Sequence, residues 1–405
     1  MLLPIKGAVR RDETTLRLGG FGNDWHMTWA ADDSQFVALC DGSGWPGTPN
    51  HLYNSRLYRI VGGPADARFE HVPGYPDLID ELPLAITQPR YVGYGTLALD
   101  GRIYQFLSTI SFDTFSERHV DHVNPRFDGV KLIYSPDGGD TWCNQDGSTP
   151  VTWEGWEDRT KDTMLFWEEP QHAFSLVSVL QMGRNYEANE DGYVYVFGPN
   201  GVTDGTMNEL VMFRVPKERI LDRGAYEYFA GHRPDGGADW ARDVDGRGVV
   251  HTFPRGWVND NGLSHAWQPS LAFNEALGVY MMVVWGHGRG PNSDEFSSPS
   301  YLGMFVARKP WGPWTQIHEE TAWTPLGDAA ARVYQPQIAP KWIAADGRSF
   351  WLVWSDFQTA GGEDWGEGMR RIAASASSQD ELLAGMAALR PHFAFNTQRV
   401  DLILA

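Results

Sequence analysis

Apolar residues in this chain fall in short runs cut by Gly, Asp and Asn, and the runs carry no helical stripe. Such runs between turn signals read as strands. Five stretches repeat one order: a polar or aromatic approach, a Gly or Asp turn, then an apolar strand. The approaches are Asp24–Ala30, the run YVGYGTLAL, Arg184–Asn189, Gln268–Phe273 and Gln335–Pro340. Their turns are Asp32-Asp33-Ser34, Asp100-Gly101, Asp191-Gly192, Asn274 to Gly278 and Asp346-Gly347. Each is followed by material for a second hairpin: SRLYRIVG, GVKLIYSPDGGDTW, ELVMFRVPK, YLGMFVARKPWGPWTQI and MRRIAASAS. Asp-Gly turns between alternating runs are strong hairpin signals. Four strands in each of five units predict an all-β fold, a five-bladed β-propeller in a single domain over 1–405. One short helix is expected, at 380–389. Residues 42–55, 111–128, 151–173 and 286–300 read as long functional loops, and 232–262 as an excursion between blades. The corner SPDGGDTW has its own turn chemistry: Asp137 accepts backbone N–H bonds, Gly139 takes a positive φ, and Trp142 covers the turn.

Composition narrows the partners. With 33 basic and 52 acidic side chains the net charge is −19. That opposes nucleic acid and anionic membrane surfaces, and makes a polyanionic glycan a less natural ligand unless a local basic pocket overrides it. The 18 Trp, 15 Tyr and 20 Phe suit both a β core and stacking on sugar rings, so an oligo- or polysaccharide is the expected partner. The two cysteines, Cys40 and Cys143, make no metal spacing. Cys40 reads as a buried thiol, and a reducing compartment is the simpler account, with one bridge left open. The N-terminus has no long apolar run, so a cytoplasmic protein without a signal peptide is expected, and no window is long enough for a membrane span. No cofactor fingerprint appears, and no metal is expected.

In a propeller the first strand of each blade lines the channel, so the approach residues converge. Asp24 precedes the first inner strand and Asp41 ends its antiparallel neighbour, which places both at one edge. Two close carboxylates supply the pair that glycoside cleavage needs, and their repulsion raises one pKa. Asp356 ends the corresponding strand of the fifth unit and is the third candidate carboxylate. Each Asp is equally readable as a turn cap. Arg184, Asn185 and Tyr186 open the third unit beside Glu187; they bind sugar hydroxyls or, in the plainer reading, Arg184 pairs with an acid. His26, Gln268, His287 and Gln335 complete the substrate-binding set. His119 and His122, three apart, suggest a metal without further ligands.

The stretch Ser135–Trp142 reads S-x-D-x-G-x-T-W and resembles the Asp-box of sialidase-like propellers. GFGNDWHMTWAADDSQFVALCDG, MGRNYEANEDGYVYVFGPNG and LVMFRVPKERILDRGAYEYFAG resemble a group of bacterial five-bladed propellers related to the domain family that includes endo-D-arabinanases. ARKPWGPWTQI is similar to a hairpin frequent in five-bladed glycosidases. The resemblance covers most of 20–360. It implies a glycoside hydrolase with aspartates in the central pocket, Asp24 and Asp41 by their place in the first blade. Two other functions stay open. A polysaccharide lyase would use His26, Arg184 and Tyr186 on a uronate. A non-catalytic propeller would bind a glycan or a protein through its loops.

Overall fold

A computed structural model of the protein describes residues 4–46, 51–80, 90–110, 127–201, 207–253, 267–289 and 295–405. The fold is all-β, built from antiparallel sheets. The first hairpin pairs Met27–Trp29 with Gln35–Gly44, which continues to Leu52–Val61 and Arg68–His71. The second sheet runs Tyr91–Leu99, Arg102–Ile110, Phe127–Ser135 and Cys143–Asn144. The third runs Ser178–Val179, Tyr193–Pro199, Glu209–Pro216, Glu227–His232 and Ala238–Ala241. The fourth runs Ser270–Asn274, Val279–Arg289, Glu295–Ala307 and Thr315–Trp323. A fifth group, Val333–Ile338, Ser349–Asp356 and Ala394–Leu404, takes its last strand from the start of the chain, Ile5–Asn23.

The first strands of successive groups are tied together in order. The Ala98 amide donates to Thr28 Oγ1 (2.7 Å) and Gln181 Nε2 donates to the Thr96 carbonyl (2.9 Å). The Gln181 amide donates to the Leu271 carbonyl (3.0 Å), the Phe273 amide donates to the Gln181 carbonyl (2.8 Å), and the Ile338 amide donates to Ser270 Oγ (2.8 Å). The Lys341 amide returns to Gln35 Oε1 (3.0 Å). Apolar packing follows the same order. Phe36 and Leu57 meet Tyr91 and Ile133; Phe106 and Leu132 meet Val196 and Phe213; Met281 and Met304 meet Val333 and Leu352; Trp25 and Leu39 meet Val353 and Phe395. The core therefore lies between sheets, where alternation buries one residue in two on each facing side.

Three expectations are corrected. The third inner strand is Ser178–Val179, and Arg184–Tyr186 is a tight 3-10 turn after it. MRRIAASAS is helical, within Trp365–Ser375: Asp364 caps the Glu367 amide, and Gly368 and Ile372 turn one face inward. Residues 238–241 and 251–252 are strands of the third sheet, and 286–289 with 295–300 extend a hairpin of the fourth. The expected short helix spans Gln379–Leu389 and packs Leu383 and Met386 on Phe21 and Phe393. Among the described residues no helix is long and apolar enough to cross a membrane.

At the corner 135–142, Asp137 accepts from the Thr141 amide (2.8 Å) and hydroxyl (2.7 Å), and Ser135 Oγ accepts from the Gly139 amide (2.7 Å). Gly139 has φ 111°, and Trp142 lies over the turn, edge-on to Tyr75. Asp137→Ala is expected to cost about 1 kcal/mol in urea denaturation; an unchanged denaturation midpoint would remove the turn-closing role.

Candidate functional site

Three inner strands open on the same irregularity. Asp24, Gln268 and Gln335 each stand two residues before a cavity-lining side chain, and all three have left-handed backbones, φ 62°, 49° and 47°. Ladder register breaks at the matching places in the second and fifth groups, between Val92 and Gly95 and between Tyr334 and Gln337. A non-glycine residue with positive φ is costly, and such positions concentrate at functional sites. Here the bulge turns the polar side chain inward. The residues that follow, His26, Thr96, Ser270 and Gln337, line a narrow central cavity with Ser178 and Gln181.

Above that cavity the inward side chains form one network. The Gln335 amide donates to Gln268 Oε1 and to the Tyr334 hydroxyl. Gln268, Tyr94, Cys40 and Asp24 act on one another there: Cys40 and Tyr94 pull the Asp24 pKa down, and burial, then Asp24, pushes that of Tyr94 up while Gln268 opposes it. Asp24 is 1% exposed, and among the described residues its Oδ1 has no hydrogen-bond partner. Burial, then the charge of Asp41, pushes its carboxyl well above the usual range, against the pull of Cys40, Arg90 and Tyr94. Asp41 is partly open to solvent and ion-pairs with Arg90, whose guanidinium also holds the buried Asp80 at 3.2 Å. Burial pushes Asp80 up to about 6; Arg90 opposes the shift and Asp41 adds to it. Every group contributes to an apolar wall: Cys40, Val92, Tyr94, Phe127, Leu176, Met207, Trp267, Trp285 and Tyr334. Phe296 and Phe357, half-buried, stack on each other at its rim (4.4 Å).

The remaining candidates divide. His26 lies beside Tyr94, ring centres 5.5 Å apart, and burial takes its pKa to about 3, so it is neutral. His287 packs between Trp285 (5.0 Å) and Phe296 (4.1 Å) in the wall. Asp356 has a set of partners separate from Asp24's: the Arg332 and Gln358 amides (2.7 and 3.0 Å) and the Gln358 side chain (2.9 Å). Arg184, Asn185 and Tyr186 are not at the pit. Arg184 donates to the Ala31 carbonyl (2.9 Å), Asn185 accepts from the Gly101 amide (3.0 Å), and Tyr186 takes the Tyr195 amide (3.2 Å). Ala31 and Gly101 belong to the hairpin turns at the far ends of the inner strands, so these three face the opposite edge. The cause is the shifted third strand. His119 and His122 lie outside the described residues, and both cysteines are free and buried. Arg90, Asp80, Tyr94 and Tyr334 were missed. The signal for Tyr94 was its place between Gly93 and Gly95, small residues that let a strand bulge.

A family model described as "Domain of unknown function (DUF4185)" matches residues 95–360. No curated protein matches the sequence. Among solved structures, the catalytic domain of a Coprinopsis cinerea GH62 α-L-arabinofuranosidase is similar at 8% identity and TM-score 0.43, covering 96% of this chain and 93% of that one. The GH43B protein of the Bacteroides ovatus xyloglucan PUL is similar at 11% and 0.45 (86% and 51% covered), and an endo-arabinase from Bacteroides thetaiotaomicron at 12% and 0.38 (86% and 91%). The match to residues 95–360 spans well over half of the sequence, and the chain belongs to the DUF4185 family.

Proposed function

We propose that the five strand groups are the blades of a five-bladed β-propeller and that the protein is a glycoside hydrolase working in the pit above its central cavity. The observation that carries the reading is a buried Asp24, its carboxyl pushed well above the usual range, near a part-open Asp41 held by Arg90 where the inner strands converge. Asp24 gives its proton to the glycosidic oxygen as the bond to the anomeric carbon breaks. Asp41, oriented by Arg90, attacks that carbon or draws the proton from the attacking water, according to the carboxylate separation. Gln268 and Gln335 orient the network, and His26 stays neutral beneath it. Rings at the rim offer faces for a sugar to stack on. Asp356 is a positioning residue: it accepts from the Arg332 and Gln358 amides, and the Arg332 carbonyl accepts from the Phe357 amide.

A lyase reading is weaker here. Its set of His26, Arg184 and Tyr186 is split between two edges, and Arg90 already sits between two carboxylates, in a field that repels a uronate at the cleavage point. Product analysis on a glycan panel separates the readings. Hydrolysis makes new reducing ends without absorbance near 232 nm, whereas elimination makes the absorbing double bond, and a binding protein makes neither. Asp41→Asn is expected to cut reducing-end release by about a hundredfold. Near-normal release from the folded variant, or absorbance at that wavelength, would sink the proposal.

A further inference from the structure

Arg390 follows the helix Gln379–Leu389. Its guanidinium lies 3.6 Å over the ring of Trp365 and 4.6 Å over that of Phe357. Among the described residues its side chain makes no hydrogen bond or ion pair, and its Nε is buried without a partner. Neighbouring arginines differ. Arg332 spends its donors on main-chain carbonyls, those of Phe296 and Ala331 among them, and Arg17 donates to Asn396. The oxygens of Asp356 are taken by Arg332 and Gln358. Burial alone acts on Arg390, taking its pKa down to about 9 with no carboxylate to oppose it. Arg390 is half-buried with its Nε out of water, and a cation so placed without a carboxylate beside it offers its outer N–H groups to an anion from outside.

Position says which anion. Phe357 meets Tyr334 edge-on at 4.8 Å, and Tyr334 feels the charge of Asp24. A continuous aromatic path thus runs from Arg390 to the acid. Trp365 supports the guanidinium from one side, and its N–H groups form a fork that matches a carboxylate. We infer that Arg390 anchors a subsite for a carboxylate carried by the substrate saccharide, on a unit displaced from the bond that is cut. This rests on the reading of the Asp24 pit as the saccharide site. It also reconciles an acidic chain with an acidic ligand: repulsion over the surface, attraction at one cation.

The test is binding, so it does not depend on turnover. Ligand-observed NMR on the intact Asp24→Asn protein would compare sodium glucuronate, glucose and inorganic phosphate. Glucuronate is expected to bind about tenfold tighter than glucose, the scale of a charge-assisted hydrogen bond, and more tightly than phosphate. Arg390→Met should erase the preference, while Arg390→Lys, which keeps charge without the fork, should keep part of it and guards against a misfolded Met variant. Equal binding of glucuronate and glucose, phosphate binding as well as glucuronate, or a preference that survives Arg390→Met would each overturn the inference. Hydrolysis of neutral glycans by the parent protein with no acid preference would sink the subsite alone; acid preference without hydrolysis would sink the hydrolase reading alone.

Discussion

The Asp24→Asn protein is expected to cleave its glycan more than about a hundredfold more slowly than the parent, the scale of a lost general acid, while unfolding no earlier. The two halves have one cause. Burial and the neighbouring Asp41 raise the Asp24 pKa well above its unfolded value. A carboxyl raised on folding contributes its full share to stability below the unfolded pKa, and that share is lost as pH rises through the folded value. An amide of the same shape has no charged form, so it escapes this loss. It also accepts the left-handed backbone at φ 62° as readily as aspartate does. It cannot release a proton to a leaving oxygen. Initial rates of reducing-end formation, with thermal melts near pH 5 and near pH 8, check both halves. The melting gain should be larger at the alkaline pH, and parent activity should fall on its alkaline side as Asp24 loses its proton. A variant that keeps its rate, or melts lower at alkaline pH, removes Asp24 from the acid role.

The parts of the fold that were legible in the sequence are those set by local chemistry. Asp100-Gly101 and Asp346-Gly347 join adjacent strands of one sheet, and those hairpins lie where the turns placed them. Arg184-Asn185-Tyr186-Glu187 imitated an approach segment because a polar start followed by Asp191-Gly192 fits the same template; the true strand is two residues long and carries no turn signal of its own. The outer strands of the fifth group could not be read locally. One comes from each end of the chain, and their pairing joins Ile5 to Leu404. No period within a window encodes so distant a partner.

The candidate site follows the same division. Asp24 and Asp41 were reachable from a rule about antiparallel strand ends, which needs only the first hairpin. Arg90 and Asp80 were not. Asp80 joins the first sheet by pairing with Leu52, and Arg90 reaches it from the start of the second, so their meeting with Asp41 is a tertiary event. Cys40 was placed inside correctly, yet its contact with Asp24 follows from the crossing of Asn23 and Cys40 in the ladder.

That tertiary junction should be the most fragile polar feature of the molecule. Arg90→Met is expected to lower stability by about 3–5 kcal/mol near neutral pH, the cost of leaving buried charge without its partner. Asp80 is 3% exposed and ion-pairs with Arg90 at 3.2 Å. With Arg90 present its pKa already stands near 6, above the unfolded value, so its ionisation on folding costs stability as pH rises through that range. Without the guanidinium the folded pKa must climb further, because the group that opposed the shift is gone. The deficit of the variant should therefore shrink in acid, where Asp80 is protonated in both proteins, and grow toward alkaline pH. Urea denaturation near pH 5 and near pH 8 measures it. Adding Asp80→Asn to Arg90→Met should recover much of the loss, since the amide removes the stranded charge, while Asp41, partly open to water, needs less rescue. A deficit that does not vary with pH, or that the second substitution fails to reduce, would mean that Arg90 acts through packing and not through charge.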